Sequence, residues 1–144
     1  MYMEVKESFI SPLRSVDVES FEFGMEGMER LLELKPKPDA VFCYNDPTAI
    51  GAIDVILRHG LRVPEDIAVV GCGNLHYNSY LRIPLTSVDQ HTDQIGTQAA
   101  RVALSLLESK NSPRRKVVVL DPELVTRASS QIKRSAVQKK ISRA

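Results

Sequence analysis

Two short runs, AVFCY at 40–44 and IAVVG at 67–71, are apolar without alternation. A strand with one wet face alternates apolar and polar residues. A strand that is greasy on both sides belongs in a parallel sheet covered on both faces. This feature limits the fold more than any other, because parallel neighbours need long crossover connections, usually helices. The residues after the first run supply one. Asn45-Asp46-Pro47 breaks the strand, and a helical pattern follows over 47–59.

That helix presents Ala49, Ile50, Ile53, Ile56 and Leu57 inward. Asp46 is its expected N-cap, Pro47 suits the first helical position, and Gly60 suits the exit. Upstream, SVDV at 15–18 predicts a short strand, and Ser20 opens a helix to about Leu34. Phe21, Met25, Met28 and Leu32 form that helix's apolar stripe, and Lys35-Pro36-Lys37-Pro38 ends it. After the 67–71 strand comes CGNLHYNSYLRIP, a polar and aromatic loop of the length that usually carries function. A strand over 85–88, a helix over 93–108 and strands over 116–120 and 123–127 complete the pattern. The helix stripe is Ile95, Ala99, Val102, Ala103 and Leu106. Strands and helices alternating at this spacing predict a three-layer α/β domain with a mostly parallel sheet and right-handed crossovers.

The chain of 144 residues is long enough for one domain with a core, and its net charge of +1 selects no partner. The charge is unevenly spread. Residues 131–144 hold Lys133, Arg134, Lys139, Lys140 and Arg143 and no acidic residue, as a solvated tail would. No aromatic interleaves these charges to make a nucleic-acid stacking platform. Cys43 and Cys72 sit at strand ends and are expected to be reduced thiols. MYMEVKESFI has no signal-peptide core, and no apolar run approaches membrane-spanning length. A cytoplasmic protein is therefore expected, without a membrane or a cofactor.

In open α/β sheets ligands bind beyond the carboxyl ends of the strands. Asn45, Asn74 and Gln90 each lie at or just past such an end. An amide both donates and accepts hydrogen bonds, as does the hydroxyl of a sugar or nucleoside. The three amides predict a site for a small polar, uncharged ligand, although Asn is also a turn and cap residue.

Several longer pieces extend this reading. NDxxAxGA at 45–52, GLRVPEDIAVVG at 60–71, PLTSVDQ at 84–90, IGxxAA at 95–100 and PELVTR at 122–127 occur in one order. Together they resemble the C-terminal half of the effector-binding region of LacI/GalR-family transcriptional regulators. The resemblance covers roughly residues 15–130. It implies a type I periplasmic-binding-protein-like fold, in which an effector between two α/β lobes changes their angle and so controls a DNA-binding headpiece. Residues 15–90 would be the C-terminal lobe, 91–120 a segment crossing to the other lobe, and 121–130 the return. No headpiece, hinge helix or N-terminal lobe precedes residue 15, so a fragment is expected. Asn45 and Gln90 match effector-contacting positions. Gly73 stands where the family often has an Asp that binds ligand hydroxyls, so either the effector differs from a simple sugar or Asn74, His76 or Tyr77 substitutes. The candidate effector set is Asn45, Asp46, Gly73, Asn74 and Gln90. The resemblance also implies a homodimer, through Ile50, Ile53 and Asp54 of the 47–59 helix and Leu75, Tyr77, Tyr80 and Leu81 of the following loop.

Three other readings compete. A solute-binding protein of a sugar transporter shares the two-lobe fold. An enzyme would need Cys43, Cys72 and His76 as a thiol–imidazole or zinc site, but the chain has no CxxC, HExxH or phosphate loop. A scaffold without a live site is the third. None of the predicted helices is basic along one face, so residues 1–144 are not expected to read DNA themselves.

Overall fold

The computed structural model describes residues 20–108 and 117–131. The expected strand at 15–18, Lys116 of the expected 116–120 strand, and the basic tail from 132 onward lie outside them. The described elements run α1 (Ser20–Glu33), β1 (Ala40–Phe42), α2 (Asp46–Arg58), β2 (Ala68–Cys72), β3 (Thr86–Asp89), α3 (Thr92–Glu108) and β4 (Glu123–Val125). A single 3-10 turn, His76–Ser79, sits between β2 and β3. Residues 117–120 carry no strand, against the sequence expectation. A β-strand exists only against a neighbour, and none is described beside Val117–Leu120.

The sheet order is β1-β2-β3-β4. β1 pairs with β2 and β2 with β3 in parallel, Phe42 facing Val70 and Cys72 facing Val88. β4 returns antiparallel to β3, with Asp89 facing Glu123. The carboxyl ends of β1, β2 and β3 therefore share one edge of the sheet.

One face of the sheet packs on α1 and α2. Val55, Ile56, Val69, Leu85 and Met28 are almost wholly buried there, and Leu32 and Cys43 join them. The other face is open among the described residues, with Phe42 65 % exposed. The unbroken apolar runs predicted cover on both faces. The described residues supply it on one.

Helices α1 and α2 approach very closely because each brings a glycine to the crossing. A Cβ on Gly24 would lie 2.0 Å from the Thr48 carbonyl oxygen, and one on Gly51 would lie 2.1 Å from that of Phe21. Below the sheet, Ser129 completes the amino ends of β2 and β3. Its Oγ donates to Val69 O at 2.6 Å and accepts from Thr86 N at 2.8 Å, while its carbonyl accepts from Val69 N. In the loop after α2, Asp66 accepts from Arg62 Nε at 2.9 Å and Nη2 at 2.7 Å. These bonds hold the Asp66 carboxyl down to about 2.

Replacing glycine by alanine in an exposed helix normally stabilises it by about 1 kcal/mol. At the α1–α2 crossing the sign reverses, because the clash is with backbone. Gly24→Ala and Gly51→Ala are each expected to lose at least ~2 kcal/mol in urea unfolding. Gly96→Ala in α3, where nothing lies within 4 Å, is expected to be neutral or stabilising.

Candidate ligand site

The corner after β1 is built differently from the sequence expectation. Asn45, not Asp46, caps α2: its Oδ1 accepts from Thr48 N at 2.9 Å, with extended backbone at Asn45. The helix begins one residue earlier than expected, and Asp46 falls in its first turn. Asp46 is then free to turn inward, and it is fully buried. Its Oδ2 accepts from Leu75 N and from Asn78 Nδ2, both at 2.8 Å. Its Oδ1 accepts from Ser87 Oγ at 2.6 Å. These three donors are neutral and come from the loop after β2, the 3-10 turn and β3.

Two glycines make room for the carboxylate. A Cβ at Gly71 would stand 2.4 Å from Asp46 Oδ1. Gly73 has a φ of +121°, and a Cβ there would be 3.4 Å from Asp46 Oδ2. The chain thus passes over the carboxylate with no side chain at the two positions, 71 and 73, that approach it.

Asn74 is also held on every side. Its backbone N donates to Ser87 Oγ at 2.9 Å. Its Nδ2 donates to Asp89 Oδ2 at 2.9 Å, and its Oδ1 accepts from Arg127 Nη2 at 2.8 Å. The second arm of Arg127 donates to Leu85 O at 2.8 Å. Asp89 Oδ1 accepts from His91 N at 2.7 Å, and this bond, with the one from Asn74, holds the Asp89 carboxyl below its usual range.

The structure brings four of the five candidate effector residues to the tips of β1 and β2, and the fifth to the tip of β3. Asn45, Gly73 and Asp89 fall level when the strand register is continued one step past Tyr44, Cys72 and Val88. Gln90 follows directly. With β2 between them, Asn45 and Gln90 stand roughly 10 Å apart across the sheet. Gln90 is exposed and lines a cleft of about 820 Å³ with α3, Val118–Leu120 and Pro122. Asp46 lies beneath the tips, with its oxygens committed internally. The sequence reading did not single out Ser87, Asn78, Asp89 or Arg127. No local signal marks them, because each acts through a partner at least a dozen residues away in sequence.

The residues expected at a dimer surface divide in two. Leu75 and Tyr80 are exposed, Tyr80 by 86 %. Ile53 belongs to the core, and Ile50 and Leu81 pack partly against it. Ile50, Ile53, Asp54, Leu81, Arg82 and Ile83 line a shallow hollow of about 150 Å³. Tyr77 is half-buried and lies edge-on to His76, with ring centres 5.5 Å apart.

The thiols are free. Burial first, and the nearby Asp46 charge second, push Cys43 up to about 12 and raise Cys72 in the same direction. Among the described residues no three His, Cys, Asp or Glu side chains gather as a metal site, and no helix is long and apolar enough to cross a membrane.

Against known proteins, the chain matches the periplasmic binding protein-like domain over residues 4–130. An HTH-type transcriptional repressor PurR from Mannheimia succiniciproducens is 38% identical, covering 85% of this chain and 40% of the relative. One from Aliivibrio salmonicida is also 38% identical over 72% of this chain and 31% of the relative. Among solved structures, a transcriptional regulator CelR–cellobiose complex superposes with TM-score 0.71 at 33% identity, over 76% of this chain and 33% of that one. A LacI family transcriptional regulator from Lactobacillus casei with bound glucose gives 0.65 at 32%, over 78% and 40%. The chain spans about a third of the length of the curated relatives it matches.

The chain belongs to the periplasmic-binding-protein-like domain family, as part of a LacI/GalR-type effector-binding domain. Its relatives are transcriptional repressors and not enzymes.

Two expectations follow from this geometry. Asp46→Asn leaves one acceptor oxygen where two now serve three donors, and is expected to cost about 2–4 kcal/mol in urea unfolding, with Gly71→Ala comparable. Iodoacetamide at pH 7.5 is expected to leave Cys43 unmodified in the folded chain and to label it once urea unfolds the chain, because almost no thiolate exists so far below its pKa.

Proposed function

We propose that this chain is the C-terminal lobe of the effector-sensing part of a LacI-type transcriptional regulator. Its ligand is a small polar effector, sugar-like or nucleoside-like, held against the tips of β1, β2 and β3. The observation that carries the reading is the meeting of three parallel strand ends, bearing Asn45, Gly73 and Gln90, on one edge of the sheet. That is where an open α/β sheet offers backbone and amide groups to a ligand. The cellobiose and glucose in the two structural neighbours support the ligand class.

Residues 15–90 form this lobe, 91–120 cross to a second lobe, and 121–130 return. The crossing is supported by α3, which buries none of its residues and leaves Ile95 and Leu106 exposed along the wall of the 820 Å³ cleft. An amphipathic helix of this kind needs a covering layer. The parent protein would act in the cytoplasm as a homodimer, reading DNA through a separate headpiece. Leu75 and Tyr80, with the hollow beside Ile50 and Asp54, are the groups for the dimer contact. The repressor relatives favour regulation over the alternative of a sugar transporter's solute-binding protein.

Gly73 narrows the effector. A charge-assisted hydrogen bond contributes about 1.5–3 kcal/mol, so a sugar relying on an Asp at this position would bind roughly 10- to 100-fold more weakly here. The test is calorimetric titration of the chain with glucose, cellobiose, sucrose and adenosine. At least one is expected to bind, and Gln90→Ala and Asn45→Ser are each expected to weaken it about tenfold. Asn45→Ser keeps an N-cap, so its effect reads the ligand and not the helix. Binding by none of the four, or binding indifferent to both substitutions, would contradict the proposal.

A further inference from the structure

The chain leaves the sheet after β3 through Gln90-His91 and comes back to β4 through Asp121-Pro122. Because β4 is antiparallel to β3 and Asp89 faces Glu123, the exit and the return run side by side. Among the described residues beyond them, α3 and 117–120, none is fully buried. These two strands of chain are therefore the mechanical link between the sheet and what lies past it.

Asn74 sits on that link. Its carboxamide donates to Asp89, at the exit, at 2.9 Å and accepts at 2.8 Å from Arg127, whose backbone lies past the far end of β4, level with Leu85. Asp89 in turn holds the backbone N–H of His91 at 2.7 Å. Both Asn74 and His91 adopt left-handed backbone, with φ of +47° and +53°. Such a conformation in a non-glycine residue persists where its surroundings hold it. Below, Ser87 Oγ accepts from Asn74 N and donates to Asp46, the residue next to Asn45. Hydrogen bonds through Ser87, Asn74 and Asp89 thus connect Asp46, in the first turn of α2, to the exit.

We infer that Asn74 is a latch on the exit from the sheet: its amide ties the tip of β2 to Asp89 at the end of β3, is braced from behind by Arg127, and sets the direction in which the chain leaves the lobe. This rests on the two-lobe reading above for its consequence, the control of lobe angle. It rests on geometry alone for the latch itself. Each polar end of the amide already holds one bond, and a ligand at the tips bears on Asn74 through the adjacent Gly73 backbone as well. Besides Asn74, the charged and titratable groups about Asp89 are Arg127, Glu123 across the strand pair, and the His91 ring, whose Nδ1 is 3.8 Å from Asp89 Oδ1. A shift at Asp89 is therefore read together with these.

The test uses Asn74→Gly, which keeps the left-handed backbone and removes both amide bonds, and Asn74→Asp, which keeps an acceptor for Arg127 but sets a carboxylate against Asp89. Amide hydrogen exchange and the Asp89 carboxyl titration are followed by NMR in the unliganded 144-residue chain. Asn74→Gly is expected to speed exchange at His91 about tenfold or more and to move the Asp89 midpoint upward. Asn74→Asp is expected to move that midpoint further. Val69, Val70 and Ile56 amides are expected to stay within about twofold. Unchanged His91 exchange with an unmoved Asp89 midpoint would overturn the latch. So would equal acceleration at Val69 and Ile56, the mark of a bond that merely stabilises the fold. Failure of every sugar to bind, with the exchange result intact, would instead sink the effector reading and leave the latch standing.

Discussion

The strand tips are held together by one buried carboxylate. Asp46 has no surface exposure, and its donors come from three places that a chain of this length must bring into register: the loop after β2, the 3-10 turn and β3. Burying a carboxylate costs several kcal/mol unless its lone pairs are met. Here neutral donors meet them, so the arrangement is all or nothing: a donor out of place leaves a desolvated charge. This strictness is what makes the tips one platform instead of three loops. It also explains the run Gly71-Cys72-Gly73, where any side chain at the first position would strike Asp46 Oδ1 at 2.4 Å.

The same requirement decides which residue caps α2. Asn45 and Asp46 are both good N-caps by type, and the sequence reading gave that role to Asp46. Asn45 takes it, since a neutral amide caps as well as a carboxylate and Asp46 is needed below. Local chemistry could not separate the two, because the deciding partners lie 29 to 41 residues away. The periodic features were legible for the opposite reason. The stripes of α1 and α2, the apolar runs of β1 and β2, and the strand ends are set by spacing within a few residues. The parallel pairing, and with it the shared edge of the three strand ends, followed from them.

Two expectations are not met among the described residues. Val117–Leu120 reads as a strand by composition but pairs with nothing described, and Phe42 reads as doubly covered yet stands largely exposed. Both are β residues whose conformation or burial depends on a neighbour. The inward face of α2 was legible from spacing: Ile53 lies in the core and Ile50 packs against it, while Leu75 and Tyr80 stand exposed.

The direct measurement of the central claim is a through-hydrogen-bond scalar coupling between the Leu75 amide nitrogen and the Asp46 carboxyl carbon, in uniformly labelled chain. The account predicts that the coupling is detected and that the Leu75 amide is strongly protected from exchange, although it lies in a loop. No coupling, together with a Leu75 amide that exchanges as fast as an open loop, would mean that the three tips are not joined through this carboxylate.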